Sequence, residues 1–262
     1  MNTPCDHRII PAPTPEKPNT AMKTFVFLSL IFVCAIVSPA DPQRPPLFLL
    51  DSSRLEEIRD LVTIADTPHH QAFEAMKTRI DPGNPLLVAG SYPNYKRAFY
   101  AREAAFLYLL TGEQIYADHA WQALDDMYHS TDPEGIRRPD NGSGLNRSQT
   151  LSSFAIAWNW AYEGWTPSQR DWVMEKVLSG LETYDKEALS HSNITSPWAS
   201  NWNGVVAGGL ILTLVAADLK DEWLVAYQES RSILDGHLAS LGDMGWHQEG
   251  EFYFSLSMEN AL

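Results

Sequence analysis

From Leu47 onward apolar residues recur at intervals of three and four, as in Phe99, Phe106 and Leu110, or Trp172, Val173, Val177 and Leu181. That is the period of an amphipathic helix, and no stretch of comparable length alternates with the period of two that marks a half-buried strand. The pattern predicts helix after helix. Several starts carry chemistry that satisfies the amides a first turn leaves unpaired. Ser53 with Glu56 forms one capping-box pattern, and Thr166, Pro167 and Gln169 form another with Pro at the first helical position. Thr67-Pro68 is a shorter version.

Three segments share a layout of apolar helix, short polar turn and second amphipathic helix. They are AREAAFLYLLTGEQIYADHAWQAL around Gly112, FAIAWNWAYEGWTPSQRDWVMEKVL around Gly164, and GGLILTLVAADLKDEWLVAYQESRSIL around Asp218 to Asp221. The turns recur roughly 52 to 55 residues apart, the mark of a helical-hairpin repeat. One hairpin cannot cover its own apolar face, so neighbours must pack in series, as an open solenoid or curled into an α/α toroid. Long aromatic-rich connections favour the toroid, because such loops gather at one end and form a groove. The expected fold class is therefore all-α.

Upstream of the helices, Lys23 precedes an apolar run from Phe25 to Val37 that closes on Ser38-Pro39-Ala40. This reads as a secretory signal peptide cut after Ala40, and the run is short of the about 20 residues a membrane span needs. Residues 1–21 are polar and Pro-rich, a poor lead-in, which makes them an upstream extension with Met22 as the expected start. The expected organisation is extension 1–21, signal peptide 22–40 and helical domain 41–262, exported to the periplasm or secreted. Cys5 and Cys34 both precede the cut, so the mature chain is expected to have no disulfide, no thiolate metal ligand and no membrane span.

With 262 residues and 44% hydrophobic content, the chain can bury one sizeable core or two smaller ones. Its formal charge of −14 argues against nucleic acid or an anionic membrane as partner, since both call for clustered Lys and Arg. An anionic ligand would have to be met locally, by Lys96, Arg97 and Arg102, or by Arg137, Arg138 and Arg147 in a stretch rich in Gly, Pro, Asn and Ser. No metal site or cofactor is expected: His69 and His70 are adjacent rather than spaced for one helix face, and no HExxH or phosphate-cradling glycine loop occurs.

Two segments set uncharged hydrogen-bonding groups among aromatic residues: NWNGVVAGGL from Asn201 to Leu210, and GWHQEGEFYF from Gly245 to Phe254. Together with the hairpin layout and the TGEQIYADHA and WTPSQRDWV turns, NWNGVVAGG and the EGxxY pattern of Glu249 to Tyr253 resemble the heparinase II/III-like and alginate lyase superfamily of polysaccharide lyases. The resemblance runs from about Leu47 to the last residue and rests on the order and spacing of these motifs. It implies an N-terminal α/α toroid, β-elimination at a uronic acid and a cleft shared with a β-sandwich domain. No stretch of the sequence could form that sandwich, so the expectation is an incomplete toroid from a longer lyase.

Elimination needs three things. The substrate carboxylate must be neutralised before the weakly acidic C5 proton can leave, a base must take that proton, and an acid must protonate the departing glycosidic oxygen. The resemblance makes Asn201 or Asn203 the neutraliser, Asn201 preferred, and Tyr253 the acid and possible base, if its pKa of about 10 is lowered. His247 is a further candidate base, although a surface role suits it too. Trp198, Trp202, Glu249 and Arg147 are the candidate substrate-binding residues, for an acidic polysaccharide or oligosaccharide. Other roles stay open: an Asn as the cap of a helix beginning near Gly204, Trp198 and Trp202 as core, Tyr253 packed beneath a loop, Glu249 as a structural carboxylate. Some alginate lyases of that superfamily carry His directly after the neutralising Asn, where this chain has Trp202. Gly204, Gly208 and Gly209 weaken a helix, which suits a close approach by another backbone or a sugar.

Two other classes fit the same residues. A toroidal glycoside hydrolase would use paired carboxylates, with Asp125, Asp126 and Glu249 as candidates, although adjacent Asp125 and Asp126 point in different directions on a helix. A non-catalytic glycan-binding or scaffold protein would use Trp158, Trp160, Trp165, Trp198 and Trp202 as stacking platforms.

Overall fold

A computed structural model of the chain describes residues 44–80, 94–129, 138–139, 144–188 and 202–240. Among these residues every regular element is helical and there is no strand. The helices are α1 (Ser52–Thr63), α2 (Pro68–Ile80), α3 (Asn94–Thr111), α4 (Gln114–His129), α5 (Gly144–Trp160), α6 (Pro167–Ala188), α7 (Gly208–Ala216) and α8 (Leu224–Ser240). A single 3-10 turn at Tyr162–Gly164 links α5 to α6, and a π-helical turn at Asn203–Ala207 leads into α7. No helix among the described residues is long and apolar enough to cross a membrane.

Local chemistry accounts for the starts. The Thr166 box forms as the sequence predicts: the Thr166 N–H donates to Gln169 Oε1 at 2.9 Å, and the Gln169 N–H returns to Thr166 Oγ1 at 3.3 Å. Pro167 opens α6 behind it. At α2 the His70 N–H donates to Thr67 Oγ1 at 3.2 Å. The Ser53 box is a correction. The cap of α1 is Asp51, whose carboxylate accepts from the Arg54 N–H and the Ser53 hydroxyl, each at 2.7 Å. With the stronger acceptor one residue ahead of the first turn, Ser53 falls inside the helix and becomes a donor. The same bonds, the Arg54 amide foremost, hold the Asp51 carboxyl below the usual carboxylate range.

The expected hairpins are present as the pairs α3–α4, α5–α6 and α7–α8, and α1–α2 adds a pair the periodicity did not single out. The odd-numbered helices pack on one another in chain order, α1 on α3, α3 on α5 and α5 on α7. Small side chains allow the closest of these contacts: Ala98, Ala101, Ala104 and Ala105 of α3 are fully buried. The flanking helices α4 and α6 meet through rings, with Trp121 and Trp172 edge-on at 5.1 Å and Tyr128 and Trp172 at 5.2 Å. The hairpin turns are tied laterally as well. Gln114 Nε2 donates to Gly164 O at 2.8 Å, and Trp165 Nε1 donates to Ala117 O at 2.9 Å.

α5 is the centre of this arrangement, touching α3, α6 and α7. It is buried at every position from Arg147 to Ala157, as a helix without a polar stripe must be. Its C-terminal end also receives the N-terminal arm. The Phe48 N–H donates to Asn159 Oδ1 at 2.8 Å, while Asn159 Nδ2 donates to Pro46 O and to Ala216 O, both at 2.9 Å. Trp160 Nε1 adds a bond to Phe48 O at 3.2 Å. One amide thus fastens the arm, α5 and the end of α7 together.

Candidate functional site

The site is built where the chain enters α7. Trp202 is already helical, and the next five residues, Asn203 to Ala207, form the π turn before Gly208 returns the chain to α geometry. Isolated π turns inside helices are uncommon and gather at functional positions. This one packs against α5 and α8, and all five of its residues are buried.

Two hydroxyls from neighbouring helices bind its carbonyls. Ser148 Oγ of α5 donates to Val205 O at 2.6 Å, and Tyr184 Oη of α6 donates to Val206 O at 3.0 Å. Tyr184 is fully buried, and desolvation pushes its phenol well above the ordinary tyrosine pKa. The Ser148 hydroxyl and the Arg147 charge pull the other way, without prevailing. The phenol therefore remains protonated and remains a donor.

Two glycines let the elements close up. A Cβ at Gly209 would lie 1.9 Å from Ser148 Oγ and 3.1 Å from Ser148 O, so α7 lies directly on the α5 backbone there. This is the close approach that the glycines of the motif suggested. At Gly144, the first residue of α5, a Cβ would lie 2.1 Å from the six-membered ring of Trp202. Gly209→Ala is expected to cost about 1–3 kcal/mol through overpacking, measured as a shift in the urea midpoint. A loss under about 0.5 kcal/mol would show that α7 and α5 can part there without strain.

The predicted residues divide sharply. Asn203 is 0% exposed and lies within the helical run, with Trp202 helical ahead of it, so it does not occupy a cap position. Trp202 is partly buried, with its ring against Gly144. Arg147 belongs to α5 rather than to a loop and is 3% exposed. Its Nε donates to Pro139 O at 2.9 Å, and its Nη2 donates to Gly180 O at 3.1 Å and to Thr183 Oγ1. The guanidinium sits 5.5 Å over the Tyr184 ring. A buried charge needs such partners, and these fasten the segment before α5 to α6 rather than face solvent. Asn201, Trp198, His247, Glu249 and Tyr253 lie outside the described residues.

The residues proposed for the other classes are placed as follows. Trp165 is 3% exposed, and the indole N–H groups of Trp158, Trp160 and Trp165 all donate to backbone carbonyls. These three rings are packed against the core rather than displayed. Asp126 accepts from Gln122 on the exposed side of α4, and Asp125 lies 3.2 Å from His129 Nδ1. Among the described residues no group of three or more His, Cys, Asp and Glu gathers as a metal would require.

Ser148 and Tyr184 are not among the residues predicted from the sequence. A signal for Ser148 was present: from Ser148 to Tyr162 no residue is charged, which marks a helix buried on all sides whose few hydroxyls must find internal partners. No family model matches the chain, and no curated protein matches it in sequence.

Proposed function

We propose that this chain is exported and carries the helical wall of a polysaccharide lyase site, built as part of an α/α toroid and acting on a uronate-containing acidic glycan. The observation that carries the reading is the buried π turn of Asn203–Ala207, which follows directly on Asn201 and Trp202 in the motif that resembles the lyase superfamily. A packed helix gains nothing from an irregular turn at its entry, whereas a site that must aim an amide does. Because Asn203 is enclosed, the carboxylate falls to Asn201 in this reading.

In this reading the Asn201 amide hydrogen-bonds the uronate carboxylate and stabilises the charge that grows on it as the C5 proton leaves. Tyr253, as its phenolate, takes that proton, the electron pair of the C–H bond becomes the C4–C5 double bond, and the bond from C4 to the glycosidic oxygen breaks. Tyr253 delivers a proton to the departing oxygen. His247 is the alternative base, and Trp198 and Glu249 contact the sugar.

The test is incubation of the full gene product with polyuronates and with a neutral glucan as control. The expected result is an ultraviolet-absorbing unsaturated uronate from the acidic polymer alone. Saturated reducing ends would point to a hydrolase, and binding without any product would point to a glycan-binding scaffold; either outcome overturns the lyase reading.

A further inference from the structure

The two hydroxyls on the π turn do more than satisfy carbonyls. A π turn takes up roughly one residue more than an α turn, so closing it to α geometry would swing the start of this helix at Trp202 by about 100° around the helix axis. Trp202 would then leave Gly144, against which its ring now rests. The direction in which the start of this helix points is therefore set by whether the π turn persists.

The groups bearing on that turn come from the two helices of the α5–α6 hairpin. Ser148 of α5 binds Val205 O at 2.6 Å and Tyr184 of α6 binds Val206 O at 3.0 Å, adjacent carbonyls within the five-residue turn. Both donors are fully buried, where a hydrogen bond is electrostatically stronger than in water. Tyr184 is also fixed from above by the Arg147 guanidinium, which is itself tied to the backbone of α6 at Gly180.

We propose that Ser148 and Tyr184 are positioning residues: their hydroxyls hold the Asn203–Ala207 turn in π geometry and so set the direction from which the amide-bearing start of the helix meets a uronate carboxylate. The proposal rests on the lyase reading for its substrate, but the geometric part stands on the hydrogen bonds alone. Arg147, expected to bind substrate, serves in it as the brace that holds the Tyr184 ring.

The experiment compares wild type, Tyr184→Phe, and the Ser148→Ala/Tyr184→Phe pair, each labelled with 5-fluorotryptophan and with the Trp202 fluorine signal assigned through Trp202→Phe. Far-ultraviolet circular dichroism checks that helix content is kept; should the pair not fold, Tyr184→Phe alone is read. The expected result is a displaced Trp202 signal, with kcat on a polyuronate lowered at least about tenfold and KM within about twofold, the pattern of a lost transition-state contact. An unmoved Trp202 signal overturns the proposal, and so does a moved signal with unchanged kcat. If wild type yields no unsaturated uronate, the lyase reading fails, and the Trp202 signal still decides whether these hydroxyls hold the turn.

Discussion

Asn159→Ala is expected to be among the most destabilising single substitutions in the described part of the chain, costing about 3–5 kcal/mol. The side chain makes three buried or part-buried hydrogen bonds, to Phe48 N–H, Pro46 O and Ala216 O. Alanine leaves all three backbone groups without their partner, and each buried orphan costs about 1–3 kcal/mol, with part recovered wherever water can enter. Against a typical domain stability of about 5–15 kcal/mol, the loss is a large share of the whole. Asn159→Asp keeps the acceptor for Phe48 but cannot donate to either carbonyl, and it places a charge at a site that is 1% exposed. It should be at least as damaging near neutral pH. Urea titration followed by circular dichroism is the measurement, and a loss under about 1 kcal/mol for Asn159→Ala would mean that the arm is not held as described.

The largest expected effects on activity belong to Asn201→Ala and Tyr253→Phe. If the Asn201 amide meets the carboxylate as charge develops on it, its removal should slow turnover by about 10²- to 10³-fold, the range seen when one preorganised donor is deleted from a site of this kind. Tyr253→Phe deletes only a hydroxyl, so its loss of about 10²- to 10⁴-fold should come with little change in melting temperature. Initial rates of unsaturated-uronate release give both numbers. Rates within a few-fold of wild type for either variant would remove that residue from the chemistry. A steep fall in melting temperature for Asn201→Ala would instead identify it as the cap of its helix.

What could be read from the sequence was local, and what could not was long-range. The Thr166 and Gln169 box, the Pro68 start and the three hairpins each depend on residues within one turn or on a repeating apolar face, and each forms as expected. Asp51 displaced Ser53 because two good caps stood two residues apart, and propensity alone does not decide between them. Arg147 looked like loop surface because its neighbours are Gly, Asn and Ser, yet its partners Pro139, Gly180 and Thr183 are brought together only by the packing of α5 on α6. The π turn was legible only as an excess of glycine: Gly209 shows why that residue is small, but the Ser148 and Tyr184 hydroxyls that bind the turn come from 57 and 22 residues away.

The N-terminal arm has a consequence for the order in which the molecule assembles. Phe48 is joined to Asn159 across 111 residues and to Trp160 across 112, so these hydrogen bonds of a segment that leaves the ribosome early have no partner until α5 has been made. Hairpins α3–α4 and α5–α6 close over short distances and can form as they emerge, whereas the arm must wait for a loop of that length to close. Its docking is therefore a late event, completed only when Ala216 has arrived to share the same amide. The earliest part of the helical unit to be synthesised is among the last to be fixed in place.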